Sequence, residues 1–266
     1  MKSRSNAKAS VELESPLEPG ELRSKTLFYL SIILILPFLS HFLTDYVLDA
    51  ARLFGAPAFA TFFGANRWIG TGITYAAFLG FTLFYLRVTL VPLATYGLRW
   101  SREYMGLAAA IGFVSGLVMY AIDVALPASF TVPPATVFGI VGGIVTVALL
   151  PALFEELLFR GVIQRFYSRF TTRSLSVMHW QVPFAVFIAS GFELLFHLAF
   201  PAYFNFFGGE LSGALVGTIP QLCYVALFGA IGGYLYHRTG SLVVPMLIHF
   251  LGNAIELIAL WLFAHA

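Results

Sequence analysis

The chain has 266 residues, of which 59% are hydrophobic and only 11% charged, with a mean hydropathy of +0.85 and a formal net charge of +2. Soluble domains carry about 25% charged residues, so this balance excludes an ordinary water-soluble domain and makes lipid the main solvent; the small net charge, with no basic patch interleaved with aromatics, argues against nucleic acid as a partner. A lone cysteine, Cys223, excludes an intramolecular disulfide and any multi-cysteine metal site.

Residues 1–25 are polar and mixed in charge. They read as a disordered cytoplasmic tail, with no small-residue cleavage pattern after the first apolar run. About 20 apolar residues cross a bilayer as a helix, and such runs occur at about 26–48, 68–90, 104–126, 137–164, 180–201, 214–236 and 242–263. The shorter Ala/Phe-rich segment 50–66 is expected to lie in the interface. Unpaired backbone groups are not tolerated in lipid, so each run is read as helix. The expected fold is therefore all-α: a polytopic bundle of about seven transmembrane helices over residues 26–266, enclosing a polar cavity.

Lys and Arg concentrate in cytoplasmic loops. The tail, the second loop (Arg87, Arg99, Arg102), the fourth (Arg165, Arg169, Arg173) and the sixth (Arg238) carry them, and the third and fifth loops carry none. Arg52 and Arg67 alone run against the alternation. The pattern predicts an odd number of spans, with the N-terminus cytoplasmic and the C-terminus outside. The apparent lack of organelle targeting leans towards a plasma (inner) membrane.

Polar groups inside such helices are costly and face a bundle interior or a water cavity. In LFEELLFRGVIQRF, Glu156 and Arg160 are four apart and can pair on one helical face. Glu155 lies about 100° round the helix with no local cation, an environment that suits a general base; alternatively, both glutamates serve only to bind Arg160 and a loop arginine. In GFELLFHLAF, Glu193 and His197 are four apart, so the Glu193 carboxylate is expected to take a hydrogen bond from the His197 ring. In MLIHFLGNAIEL, the residues His249, Asn253 and Glu256 share a face. Asp123 is expected at the interface, Gln221 and Cys223 between helices, and His179 with Trp180 in an aromatic belt. The glycines of GIVGG and GAIGG are expected to allow close helix contact.

The order EExxxR, a histidine ending a helix, then HxxxN resembles the CAAX protease and bacteriocin-processing family of intramembrane proteases, also called the Abi family. Glu155, Glu156, Arg160 and Gly161 match the first motif, and His249 and Asn253 the last, preceded by the similar approach YLYHRTGSLVVPMLIH. The resemblance covers about 137–263. In the family's middle motif, FxxxH, the phenylalanine is replaced here by Glu193.

The resemblance implies peptide-bond hydrolysis in or beside the membrane. In that reading Glu155 activates water, His197 helps to hold it, and His249 and Asn253 stabilise the oxyanion. Glu156 and Arg160 support the geometry, with Glu193 beside them. No cofactor is favoured, although Glu155, His197 and His249 could instead bind Zn²⁺. The implied partner is a membrane protein or a lipidated or hydrophobic peptide. Two other classes stay open: a catalytically silent relative acting in bacteriocin immunity or as a scaffold, and a proton-coupled transporter. On these run boundaries His197 lies nearer the outer end of its helix than Glu155 and His249 do of theirs, a mismatch on the order of 15 Å.

Overall fold

The computed structural model describes residues 19–53, 55–56, 58, 61–63, 66–88, 93–125, 132–208 and 211–263; for those of 19, 37–52, 67 and 200–218 it describes the backbone alone. Among the described residues seven long helices follow the expected order. Helix α1 spans Pro19–Leu53 and α2 spans Arg67–Val88, followed by a short turn of 3₁₀ helix at Leu93–Tyr96. Next come α3, Met105–Ala125, and α4, the 32-residue Val137–Ser168. After a two-stranded hairpin, β1 (Ser174–Val177) and β2 (Trp180–Pro183), come α5 (Phe184–Gly208), α6 (Leu211–Thr239) and α7 (Val243–Phe263).

Five of these helices, α2, α3, α4, α6 and α7, are long and apolar enough to cross a membrane. The first and fifth expected runs also fall on helices, α1 and α5, the latter with an apolar stretch at Phe184–Ala199. The chain is an all-α multi-pass membrane protein. Helix α1 begins at Pro19, ahead of the apolar run at 26. Most of the tail, and part of the expected interfacial segment 50–66, lie outside the described residues.

Helix α4 is the central element. Thr136 starts it by accepting a hydrogen bond from the Gly139 amide, 3.1 Å away, so one of the orphan amides of the first turn is paired. It widens into π geometry twice, at Ile144–Leu149 and Leu157–Gln164. Such stretches are rare and often mark functional sites. Every residue from Phe154 to Gln164 is buried. Phe154, Leu157, Phe159 and Ile163 pack with Tyr29 and Ile33 of α1, Phe78 and Leu86 of α2, and Phe192 and Phe196 of α5. Within lipid, close fit drives such association, and small residues allow it. Helix α7 lies along α3 at Gly112 and Gly116; a Cβ at Gly116 would stand 2.5 Å from the Gly252 carbonyl.

The two ends of the bundle are distinct. At one end the Arg99 guanidinium donates to the carbonyls of Thr239 and Gly240, both 3.0 Å away, and the Leu242 amide donates to Gly97 at 2.8 Å. Gly97 and Gly240 have φ of +90° and +61°, which side chains with a Cβ rarely adopt. Arg165 lies over the Tyr96 ring, and the Tyr167 hydroxyl is 2.7 Å from Thr26 Oγ1. The start of α1, the α2–α3 loop, the end of α4 and the α6–α7 turn therefore meet. At the opposite end the Trp261 indole donates to the Pro133 carbonyl, and Trp68 packs on Phe138.

One boundary needs correction. The fifth helix starts at Phe184, because residues 180–183 pair with 174–177 as an antiparallel hairpin. Trp180 belongs to β2 and stacks on Tyr234 at 5.5 Å and 12°. Gln221 and Cys223 are exposed on the outer face of α6 rather than set between helices.

Candidate active site

Three helices bring the sequence-predicted residues together: Glu155, Glu156 and Arg160 from α4, Glu193 and His197 from α5, and His249 and Asn253 from α7. The later start of α5 removes the expected depth mismatch, and His197 Nε2 lies 3.8 Å from Glu155 Oε2. His249 Nε2 lies 4.0 Å from the same oxygen. Glu155 is 1% exposed, and its Oε2 has no hydrogen-bond partner among the described residues. One buried carboxylate oxygen thus faces two imidazole nitrogens at a spacing that a single water can bridge.

The other nitrogen of each ring is held. His197 Nδ1 donates to the Glu193 backbone carbonyl at 3.0 Å, which fixes the proton on Nδ1 and leaves Nε2 free in the neutral ring. His249 Nδ1 donates to Glu156 Oε1 at 3.1 Å. Ring orientation and tautomer are therefore set by partners away from Glu155.

Arg160 is the electrostatic hub. Its Nε lies 3.1 Å from Glu156 Oε2, its Nη2 lies 2.8 Å from Glu193 Oε2, and Nη2 also donates to the Gly229 carbonyl at 2.9 Å. The expected i,i+4 pair with Glu156 is present. The expected Glu193–His197 side-chain bond is not. The Glu193 carboxylate turns to Arg160, and Glu193 reaches His197 through its main chain, because a guanidinium offers a buried carboxylate a charged donor.

The GAIGG glycines work here. A Cβ at Gly229 would overlap the Glu193 carboxylate, and one at Gly233 would stand 2.7 Å from Gln164 Oε1. Their absence lets two backbone carbonyls of α6 face α4, one taken by Arg160 and the other by Gln164 Nε2 at 2.8 Å.

Asn253 donates from Nδ2 to the Val147 carbonyl at 3.1 Å. Val147 lies in the first wide stretch of α4, and Pro151 in the following turn has no N–H to give to the carbonyls there. The amide pairs that carbonyl from α7, and its second N–H and its oxygen make no further hydrogen bond among the described residues. Glu256 does not join the site. It lies beside Asp123, near the end of α3.

Two site residues were missed from the sequence. Gln164 follows Arg160 by four residues, so periodicity could have found it. Tyr75 of α2 donates to Glu155 Oε1 at 2.9 Å, and nothing in its local sequence marks it.

Glu155, His197 and His249 have the donor chemistry of a zinc site. Around a tetrahedral ion with bonds of about 2.0–2.1 Å, however, donor atoms sit roughly 3.3 Å apart. These three would have to draw together, and no group of three such side chains among the described residues is placed to hold a metal ion.

Residues 137–255 match the family described as type II CAAX prenyl endopeptidase Rce1-like. That stretch contains all seven residues singled out above from α4, α5 and α7, and the resemblance read from the sequence holds over it. The family is one of proteases. No curated protein and no solved structure matches the chain.

Proposed function

We propose that this chain, with its Rce1-like core over residues 137–255, is an intramembrane endopeptidase that hydrolyses a peptide bond in a membrane-associated or lipidated protein. The observation that carries the proposal is the buried, unpartnered Glu155 Oε2 facing His197 Nε2 and His249 Nε2. Water held between Glu155 and His197 gives one proton to the carboxylate as its oxygen attacks the substrate carbonyl. The new carboxylic acid then passes that proton to the leaving amine, which balances the hydrolysis.

His249 serves as the oxyanion donor when it carries both protons, with Nδ1–H on Glu156 and Nε2–H towards the substrate. Charge balance supports this. Three buried carboxylates, Glu155, Glu156 and Glu193, stand against one guanidinium, so a further positive charge on a ring lowers the cost of burial. Asn253, fixed at Val147, offers its second N–H to the same oxyanion. Donors fixed in this way need little reorganisation during reaction.

The clustering of Arg99, Arg165 and the α6–α7 turn at one end supports a cytoplasmic placement for that end, with the C-terminus outside.

The test is comparative membrane proteomics of cells expressing wild type or Glu155→Gln at equal levels. Glutamine keeps the shape but is a poor base. At least one membrane-associated protein should keep an untrimmed terminus in the variant. Equal trimming by both, at equal insertion, would remove Glu155 as the base.

A further inference from the structure

Tyr75 lies on α2, outside the matched residues 137–255, yet its hydroxyl donates to Glu155 Oε1 at 2.9 Å. We propose that Tyr75 is a positioning residue for the Glu155 carboxylate, and that α2 is therefore part of the catalytic apparatus. The inference rests on Glu155 being the base.

A glutamate side chain can rotate its carboxylate about the last torsion with little resistance. Glu155 has no guanidinium partner of its own, since Arg160 is taken by Glu156 and Glu193. The phenol is the one hydrogen bond the Glu155 carboxylate makes among the described residues. Holding Oε1 assigns the two oxygens separate duties: one is anchored, and the other faces both imidazoles.

The anchor is itself rigid. The Tyr75 ring packs edge-on against Phe154 at 5.8 Å and Phe78 at 6.5 Å. Phe154 directly precedes Glu155, so the same turn of α4 supports both the anchor and the base. A tyrosine that merely filled space would need only its ring.

The experiment compares wild type, Tyr75→Phe and Glu155→Gln in one detergent or lipid. Phenylalanine keeps the ring contacts, so thermal stability should stay within a few degrees. The first readout is the infrared difference spectrum. The carboxyl band lost in Glu155→Gln identifies Glu155, and this band should shift in Tyr75→Phe. The second is cleavage of an S-farnesylated peptide ending in a CAAX tetrad. There kcat should fall by about 10–100-fold with KM unchanged, the range for losing a hydrogen bond to a charged group.

An unmoved Glu155 band, or an unchanged kcat on a cleaved peptide, overturns the proposal. Full activity in Glu155→Gln overturns the reading of Glu155 as base, while the infrared shift still decides whether Tyr75 holds its carboxylate.

Discussion

Arg160 is 1% exposed and ties α4, α5 and α6 through Glu156, Glu193 and the Gly229 carbonyl. Arg160→Ala leaves two carboxylates buried without their cation. Breaking a buried pair costs about 3–5 kcal/mol, so the variant should express poorly and melt well below wild type. Arg160→Lys should recover only part of the loss, since one ammonium cannot reproduce the planar fork. Thermal melts of the purified variants check this, and a normal Tm for Arg160→Ala would show that the hub is dispensable.

The sequence revealed half of the hub. Spacing of four places Glu156 beside Arg160, but spacing reports only neighbours on the same helix. Glu193 was therefore matched to His197, its neighbour one turn on, while its carboxylate found a stronger partner on α4. Tyr75 was illegible for a related reason: a lone phenol on an apolar helix reads as packing until the chain 80 residues away is placed beside it.

Among the elements, α6 supplies carbonyls because it carries glycine where its neighbours come closest. Alanine for glycine normally stabilises a helix by about 0.5–1 kcal/mol. Gly80 of α2 has nothing within 4 Å of a Cβ position, and Gly80→Ala should follow that rule. Gly229→Ala should reverse it, because the methyl group meets the Glu193 carboxylate and stands 3.2 Å from Arg160 Nη2. Overpacking of this kind costs about 1–3 kcal/mol. Paired melts of the two variants test the contrast, and a stabilised Gly229→Ala would contradict the geometry.

Hydropathy located the seven long helices because lipid imposes a near-uniform apolar length. It misplaced the start of α5 because Trp180, Val182 and Pro183 are themselves apolar, and the single polar residue among them, Gln181, is too little to break the run into Phe184. A four-residue strand is too short for its alternation to stand out. The wide turns of α4 carry no compositional mark.

At the scale of the whole molecule, the gathered loops make orientation testable. Thr172 is exposed in the segment between α4 and the hairpin, at the end that holds Arg99 and Arg165. In a Cys223→Ser background, Thr172→Cys should react with a membrane-impermeant maleimide in inside-out vesicles and not in intact cells. Labelling in intact cells would invert the orientation. The charge pattern foretold which loops share a side, but not that they bond to one another, because such contacts join residues 140 or more positions apart.

That separation also shapes how the protein is made. Ribosomes deliver roughly 5–20 residues per second, and Gly229 follows Arg160 by 69 positions. For roughly 3–14 s after Arg160 is synthesised, its guanidinium has Glu156 but not the carbonyl of α6. A nascent α4 with Arg160 and two carboxylates in its apolar stretch is a poor solitary resident of lipid. It is best sheltered in the insertion machinery until α5 and α6 arrive, so the charge this helix can carry is bounded during synthesis as well as in the folded bundle.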